Sequence, residues 1–187
     1  MKKIPSLFKR DYEGTRLVYD ELVPGTEWVI EGEGEATRKI DGTSCMVREG
    51  KRYDARAGKT PPPGFEPAQE ADAITDHWPG WLPVGEGPED RWHREALANA
   101  GELPDGTYEL VGPKVQGNAE HLDHHMLVPH GAEELRDVPR SFEGIREYLA
   151  THEIEGIVWW RVPGDPDCDK AKIKRKDFKL PWPVKRA

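Results

Sequence analysis

Cysteine is scarce, with Cys45 and Cys168 the only two in 187 residues, and that excludes a disulfide framework. No apolar run approaches the roughly twenty residues that span a bilayer. Met1-Lys2-Lys3 leads into Ile-Pro-Ser, not into the apolar stretch of a signal peptide. The expectation is a soluble chain of the reducing cytoplasm with no membrane partner. A helical bundle is also disfavoured, because 19 Gly and 17 Pro suit short strands and irregular loops. Apolar residues make up 36% of the chain and charged ones 33%, but seven Trp, five Tyr and four Phe supply enough large apolar surface for a core. The length fits one domain over residues 1–187, and the sequence does not indicate its oligomeric state.

The net charge of -8 argues against a general polyanion binder, yet it is unevenly spread. Residues 170–187 carry eight basic groups and one acid, so that end is +7 and the remainder -15. The basic end can meet phosphates.

Periodicity predicts mixed elements. Residues 1–25 show little period. Trp28-Val29-Ile30, Thr37 to Ile40, Thr43 to Val47 and Arg52 to Arg56 read as strands. Residues 58–90 read as a long Pro/Gly-rich loop. Residues 90–100 suit a helix stopped by Gly101, and Ser141 can cap a second that buries Phe142, Ile145 and Leu149. Thr107 to Val111, Met126 to Val128, Ile157 to Trp160 and Ala171 to Lys176 complete the strands. No βαβ regularity appears, so the class is α+β.

Four short elements occur in order: Lys39-Ile40-Asp41-Gly42, Tyr108-Glu109-Leu110, Glu155-Gly156-Ile157-Val158 and Lys172-Ile173-Lys174. Each alone is weak; their order and strand contexts give them weight. A lysine amine attacks the α-phosphorus of ATP only when neutral, and burial and nearby cations favour the neutral form. Lys172, Lys174 and a bound Mg²⁺ can supply such cations, and the same charges suit a phosphate in transit. Glu155 can hold Mg²⁺, which prefers oxygen ligands. Glu109 can accept hydrogen bonds from ribose hydroxyls, and Gly42 allows a sharp turn beside the nucleophile. His121, His124, His125 and His130 with Cys168 match no standard zinc spacing and read as a polar loop. Trp92, Trp159 and Trp160 read as core. Trp78 and Trp81 read either as core or as stacking platforms.

This constellation resembles the covalent nucleotidyltransferases: DNA ligases, RNA ligases and capping enzymes. Lys39-Ile40-Asp41-Gly42 looks like the K-x-D-G nucleophile motif, Arg56-Ala57-Gly58 like the motif after it, Glu155-Gly156-Ile157-Val158 like E-G-x-V, and Lys172-Ile173-Lys174 like K-x-K. The stretches Tyr108 to Asn118 and Ala171 to Phe178 are similar to a small group of 5′-3′ RNA ligases shared by bacteria and animals. The resemblance implies a single adenylyltransferase domain of two antiparallel sheets with flanking helices. Only thirteen residues follow Lys174, so no C-terminal OB domain is expected.

The implied activity is ATP-dependent RNA joining of the kind used in RNA repair. Lysyl-AMP forms on Lys39, AMP passes to an RNA 5′-phosphate, and a 3′-hydroxyl seals it. Lys39, Asp41, Lys172 and Lys174 would be catalytic. Arg56, Glu109, Lys172, Lys174 and His130 would bind ATP, with His130 covering the base. Glu155 would hold Mg²⁺ or Mn²⁺, and Arg175, Lys176 and Lys179 would grip RNA. A DNA-end or cap-type enzyme, or a silent nucleotide- or RNA-binding module, are the alternatives.

Overall fold

The computed structural model describes residues 2–49, 51–58, 60–71 and 76–184, the side chains of 51–58 excepted. Residues 1–25, which carry no period, form a hairpin of β1 (Phe8–Arg10) and β2 (Val18–Leu22). The expected strand at Trp28 is instead a one-turn helix, α1 (Glu27–Ile30). Tertiary burial overrides β-propensity there. Thr26 Oγ1 donates to the carbonyls of Val23 and Leu7, at 2.7 and 3.1 Å, and the Trp28 indole donates to Gly25 O at 3.1 Å. That turn puts Trp28 and Val29 into the core together.

The other expected strands are present: β3 (Glu35–Lys39), β4 (Thr43–Arg48) and β5 (Lys51–Gly58). The stretch read as a loop contains β6 (Glu66–Pro67) and β7 (Trp78–Pro83). Trp78-Pro79-Gly80-Trp81 has the composition of a turn, yet it lies flat between two strands. Gly80 is needed there, because a Cβ would stand 2.3 Å from Glu66 O. Then follow α2 (Arg91–Ala100), β8 (Gly106–Val111), β9 (Met126–Pro129), α3 (Phe142–Thr151), β10 (Gly156–Trp160) and β11 (Lys170–Lys174). Ser141 caps α3 by accepting the Gly144 N–H. The basic strand ends two residues earlier than expected, at Lys174 rather than Lys176, because Arg175–Phe178 winds into a 3₁₀ turn.

The chain divides into two compact units. One comprises Met1–Lys3 and Asp41–His130, the other Ile4–Ile40 and Gly131–Ala187. The first is built on a six-stranded antiparallel sheet in the order β6-β7-β5-β4-β8-β9. Its core joins Cys45, Val47, Tyr108, Leu110 and Leu127 to Ala96 of α2.

In the second unit, β11-β10-β3 form an antiparallel sheet beside the β1-β2 hairpin. Ala36, Ile157, Trp159, Ala171 and Ile173 share a core with Ile145 and Leu149 of α3. Phe8, Phe142 and Phe178 continue that core edge to face, with centroids 5.0 and 5.2 Å apart. The fold is thus α+β, with three antiparallel sheets among the described residues; the third is the hairpin that periodicity did not announce. No described helix is long and apolar enough to cross a membrane.

Candidate active site

Side chains alternate across a strand, so the face of β10 opposite Ile157 and Trp159 belongs to Gly156, Val158 and Trp160. Register puts Gly156 between Lys39 on β3 and Lys174 on β11. One row along, Val158 lies between Thr37 and Lys172. Directly paired residues project to the same side, so three lysines from two strands share one face. Gly156 admits no side chain, since a Cβ would stand 2.2 Å from Ile173 O.

Glu155, 5% exposed, precedes this row. Its Oε2 lies 2.5 Å from Lys39 Nζ and its Oε1 3.7 Å from Lys174 Nζ. Lys39 Nζ also donates to Ile40 O at 3.3 Å. A carboxylate this buried is costly without a counter-ion, and the two ammonium groups supply it. Three lysines around one carboxylate leave positive charge in excess, which suits a polyanion such as a triphosphate.

Lys172 carries the electrostatic strain. Its pKa is lowered to about 8, first by burial and then by repulsion from Lys39 and Lys174, against the opposing pull of Glu155 and Asp177. Its backbone is held from both sides: it pairs with Val158 on β10, its N–H donates to Pro5 O at 2.9 Å, and its carbonyl accepts from Leu7 N–H at 2.8 Å. Lys174 is fixed by Asp177, whose Oδ2 accepts the Lys174 N–H at 2.8 Å. Asp177 is 3% exposed, and its other oxygen takes the Arg10 guanidinium. Sequence reading overlooked Arg10 and Asp177, since neither belongs to a motif. The cap-like spacing of Asp177 three residues after Lys174 is the signal that was available.

In the unit of Asp41–His130, Glu109 Oε1 accepts the Gly42 N–H at 3.1 Å, and Oε2 accepts His130 Nε2–H at 2.7 Å. The His130 ring nitrogen Nδ1 is buried without a partner. Glu120, also overlooked, accepts the Asp41 N–H at 2.9 Å. Gly42 lies at a bend, as expected, and is needed for a further reason: a Cβ would stand 2.1 Å from Leu110 O, so β8 passes against bare backbone. Arg56 lies on β5, with its side chain outside the described residues.

The basic end is less exposed than its charge suggests. Arg175, placed on RNA by sequence, is 4% exposed. Its guanidinium donates to the carbonyls of Pro181 at 2.9 Å and His152 at 2.7 Å, and to that of Leu149. It braces the end of α3, and an RNA phosphate cannot reach it without breaking those bonds. Lys170 is buried over the Trp160 ring, 4.2 Å from its centroid. Lys176 and Lys179 are exposed.

The donor set bears on a divalent metal. Among the described residues no group of three or more His, Cys, Asp or Glu side chains could hold an ion. Mg²⁺ commonly uses one or two carboxylates and completes its shell with water and substrate phosphates. A single buried carboxylate, Glu155, amid phosphate-attracting lysines fits that mode.

The sequence profile of RNA ligase 1 matches residues 94–187. The chain is 29% identical to RNA ligase 1 of Pongo abelii over 79% of its own length and 68% of the relative's. It is 30% identical to those of Rattus norvegicus and Mus musculus, each over 80% of this chain and 68% of the relative.

Proposed function

The chain belongs to the RNA ligase 1 family, and we propose that it is an ATP-dependent RNA ligase working through lysyl-AMP on Lys39. The observation that carries this reading is the arrangement of Lys39, Lys172 and Lys174 around the buried Glu155 carboxylate.

Lys39 attacks as a free amine, so its ammonium must first leave Glu155 and lose a proton. Its nitrogen lone pair then forms an N–P bond to the α-phosphorus of ATP. The bond from that phosphorus to the bridging oxygen breaks, pyrophosphate departs, and the surplus proton on nitrogen passes to solvent. Lys172 and Lys174 stabilise the charge that gathers on the phosphate oxygens. Glu155 would hold Mg²⁺ or Mn²⁺, which when bound neutralises phosphate charge. In the second step an RNA 5′-phosphate oxygen attacks the same phosphorus and frees Lys39, giving a 5′-adenylylated end. In the third, an RNA 3′-hydroxyl attacks the 5′-phosphate, loses its proton and expels AMP.

In the unit of Asp41–His130, Glu109 is assigned a ribose hydroxyl, His130 the base, Arg56 the nucleotide and Asp41 a catalytic role, all on the motif resemblance. The bond from His130 to Glu109 gives His130 a second role, that of orienting the carboxylate. Lys176 and Lys179 are assigned to RNA, with Arg175 as their internal brace.

The test is incubation with α-³²P-labelled ATP and Mg²⁺, followed by a denaturing gel and a sealing assay on 5′-phosphorylated RNA. Label on the wild type that is lost in Lys39→Met, together with joined RNA, is the expected result. Absence of label on the wild type overturns the reading.

A further inference from the structure

Among the described residues, the least-buried large apolar side chain is one that the proposed chemistry leaves unused. Tyr12 is 76% exposed. Single exposed aromatics are common and need no function, but this one sits in a loop whose backbone is held rigid. Asp11 Oδ1 accepts the Gly14 N–H at 2.8 Å, and its Oδ2 accepts the Thr15 N–H at 2.7 Å and hydroxyl at 3.2 Å. Two backbone bonds close the loop, Asp11 N–H to Leu17 O at 3.0 Å and Arg16 N–H to Asp11 O at 2.8 Å. An aromatic displayed on a fixed loop loses little freedom on stacking.

The loop is also tied to the phosphate-facing strand. One guanidinium, that of Arg10, donates to Arg16 O at 2.5 Å and to the Asp177 carboxylate. Asp177 in turn accepts the Lys174 N–H. The Tyr12 loop and the turn carrying Lys176 therefore share a single side chain. The exposed cations about this junction are Arg16, Lys176 and Lys179, with Glu13 the exposed acid of the loop.

We propose that Tyr12, Arg16, Lys176 and Lys179 form a binding surface for the single-stranded RNA that runs away from the end being sealed. A base stacks on Tyr12, and the three cations follow the backbone. An aromatic among basic groups suits an unpaired strand, whose bases present their faces. A duplex would offer only its phosphates. The assignment rests on the RNA ligase reading and adds to it the strand that the site takes.

The experiment measures binding of a fluorescent 5′-adenylylated single-stranded RNA by anisotropy, over a range of salt, with sealing assayed in parallel. Tyr12→Ala is expected to weaken binding by about tenfold, and Tyr12→Phe to restore it. Lys176→Ala with Lys179→Ala is expected to flatten the salt dependence by about 0.7 per lysine on a log–log plot. A wild type that binds and seals, with Tyr12→Ala equal to it, overturns this surface alone. Equal loss of blunt duplex RNA binding in Tyr12→Ala overturns the single-strand assignment. A wild type that neither binds nor seals RNA overturns the ligase reading itself.

Discussion

Lys39 Nζ and Glu155 Oε2 lie 2.5 Å apart in an ion pair that joins β3 to the residue before β10. The proposed nucleophile is thus the counter-ion of the proposed metal ligand. In the proposed reaction the two steps would be coupled, since the lysine that leaves also uncovers the carboxylate.

Lys39→Met is expected to abolish covalent labelling by α-³²P ATP while the fold survives, because Lys174 still balances Glu155. Glu155→Ala removes the carboxylate from among three lysines. It is expected to lower stability by about 1–3 kcal/mol and to leave little metal-dependent labelling. Urea unfolding and a Mg²⁺ titration of the labelling rate check both. An unchanged Mg²⁺ dependence in Glu155→Ala would remove that residue from the metal site.

Lys172 gives a pH signature whose sign can be worked out. Its pKa is lowered to about 8 in the fold, from 10.5. Between those values the unfolded chain binds more protons than the folded one, so this lysine makes stability rise with pH through that window. Below about pH 8 both states are protonated and the cost of burying the ammonium is fully present. A shift from 10.5 to about 8 corresponds to about 3 kcal/mol. Lys172→Met is therefore expected to be more stable than the wild type near pH 7, with the gap narrowing as pH rises towards 10. Urea titrations of both proteins from pH 6.5 to 10 measure it; a gap independent of pH contradicts the assignment. In the wild type, labelling is expected to slow as Lys172 loses its charge above pH 8.

Much of the fold was legible because most elements obey one local rule. Ile157 and Trp159 alternate with residues of the lysine face, and Ser141 announces α3. Trp28-Val29-Ile30 failed because its local preference conflicts with a turn pinned by Thr26. Trp78-Pro79-Gly80-Trp81 failed because turn composition and a tightly packed strand look alike in sequence. The juxtaposition of Lys39, Glu155 and Lys174 was anticipated from motifs 116 and 19 residues apart, but only pairing through Gly156 makes it geometry. Arg10 and Asp177 were illegible as a pair, since a part-buried ion pair between residues 167 apart leaves no local pattern.

Gly156→Ala tests the row directly. Its Cβ would meet Ile173 O at 2.2 Å and Lys174 Cα at 3.0 Å, both backbone atoms that cannot step aside. The expectation is a loss of about 1–3 kcal/mol together with slower labelling, because β11, which presents Lys174, must move away from β10. Gly85→Ala is the control for added volume, since nothing lies closer than 3.5 Å to its Cβ. Thermal unfolding and labelling rates together check the prediction. A Gly156→Ala protein that matches wild type in both means that the register of β10 is wrong.

Arg175 separates the motif reading from the structural one. If it gripped RNA, Arg175→Met would leave stability alone and reduce the salt dependence of RNA binding. Its guanidinium instead bonds to the carbonyls of Leu149, His152 and Pro181. Burial also lowers its pKa, against a weaker pull from Glu153. Hydrogen bonds from a charged donor contribute about 1.5–3 kcal/mol each. Losing these bonds, with His152 O still accepting the Ile154 N–H at 3.0 Å and the methionine's packing a partial offset, should cost about 2–4 kcal/mol in total. The expected outcome for Arg175→Met is an earlier urea midpoint, with an RNA salt slope equal to wild type at temperatures where the variant is folded. Lys176→Ala should show the converse, a wild-type midpoint with a shallower slope. Midpoints from urea unfolding and slopes from anisotropy on the same preparations decide between the readings. A shallower slope in Arg175→Met at unchanged stability would return that arginine to the RNA.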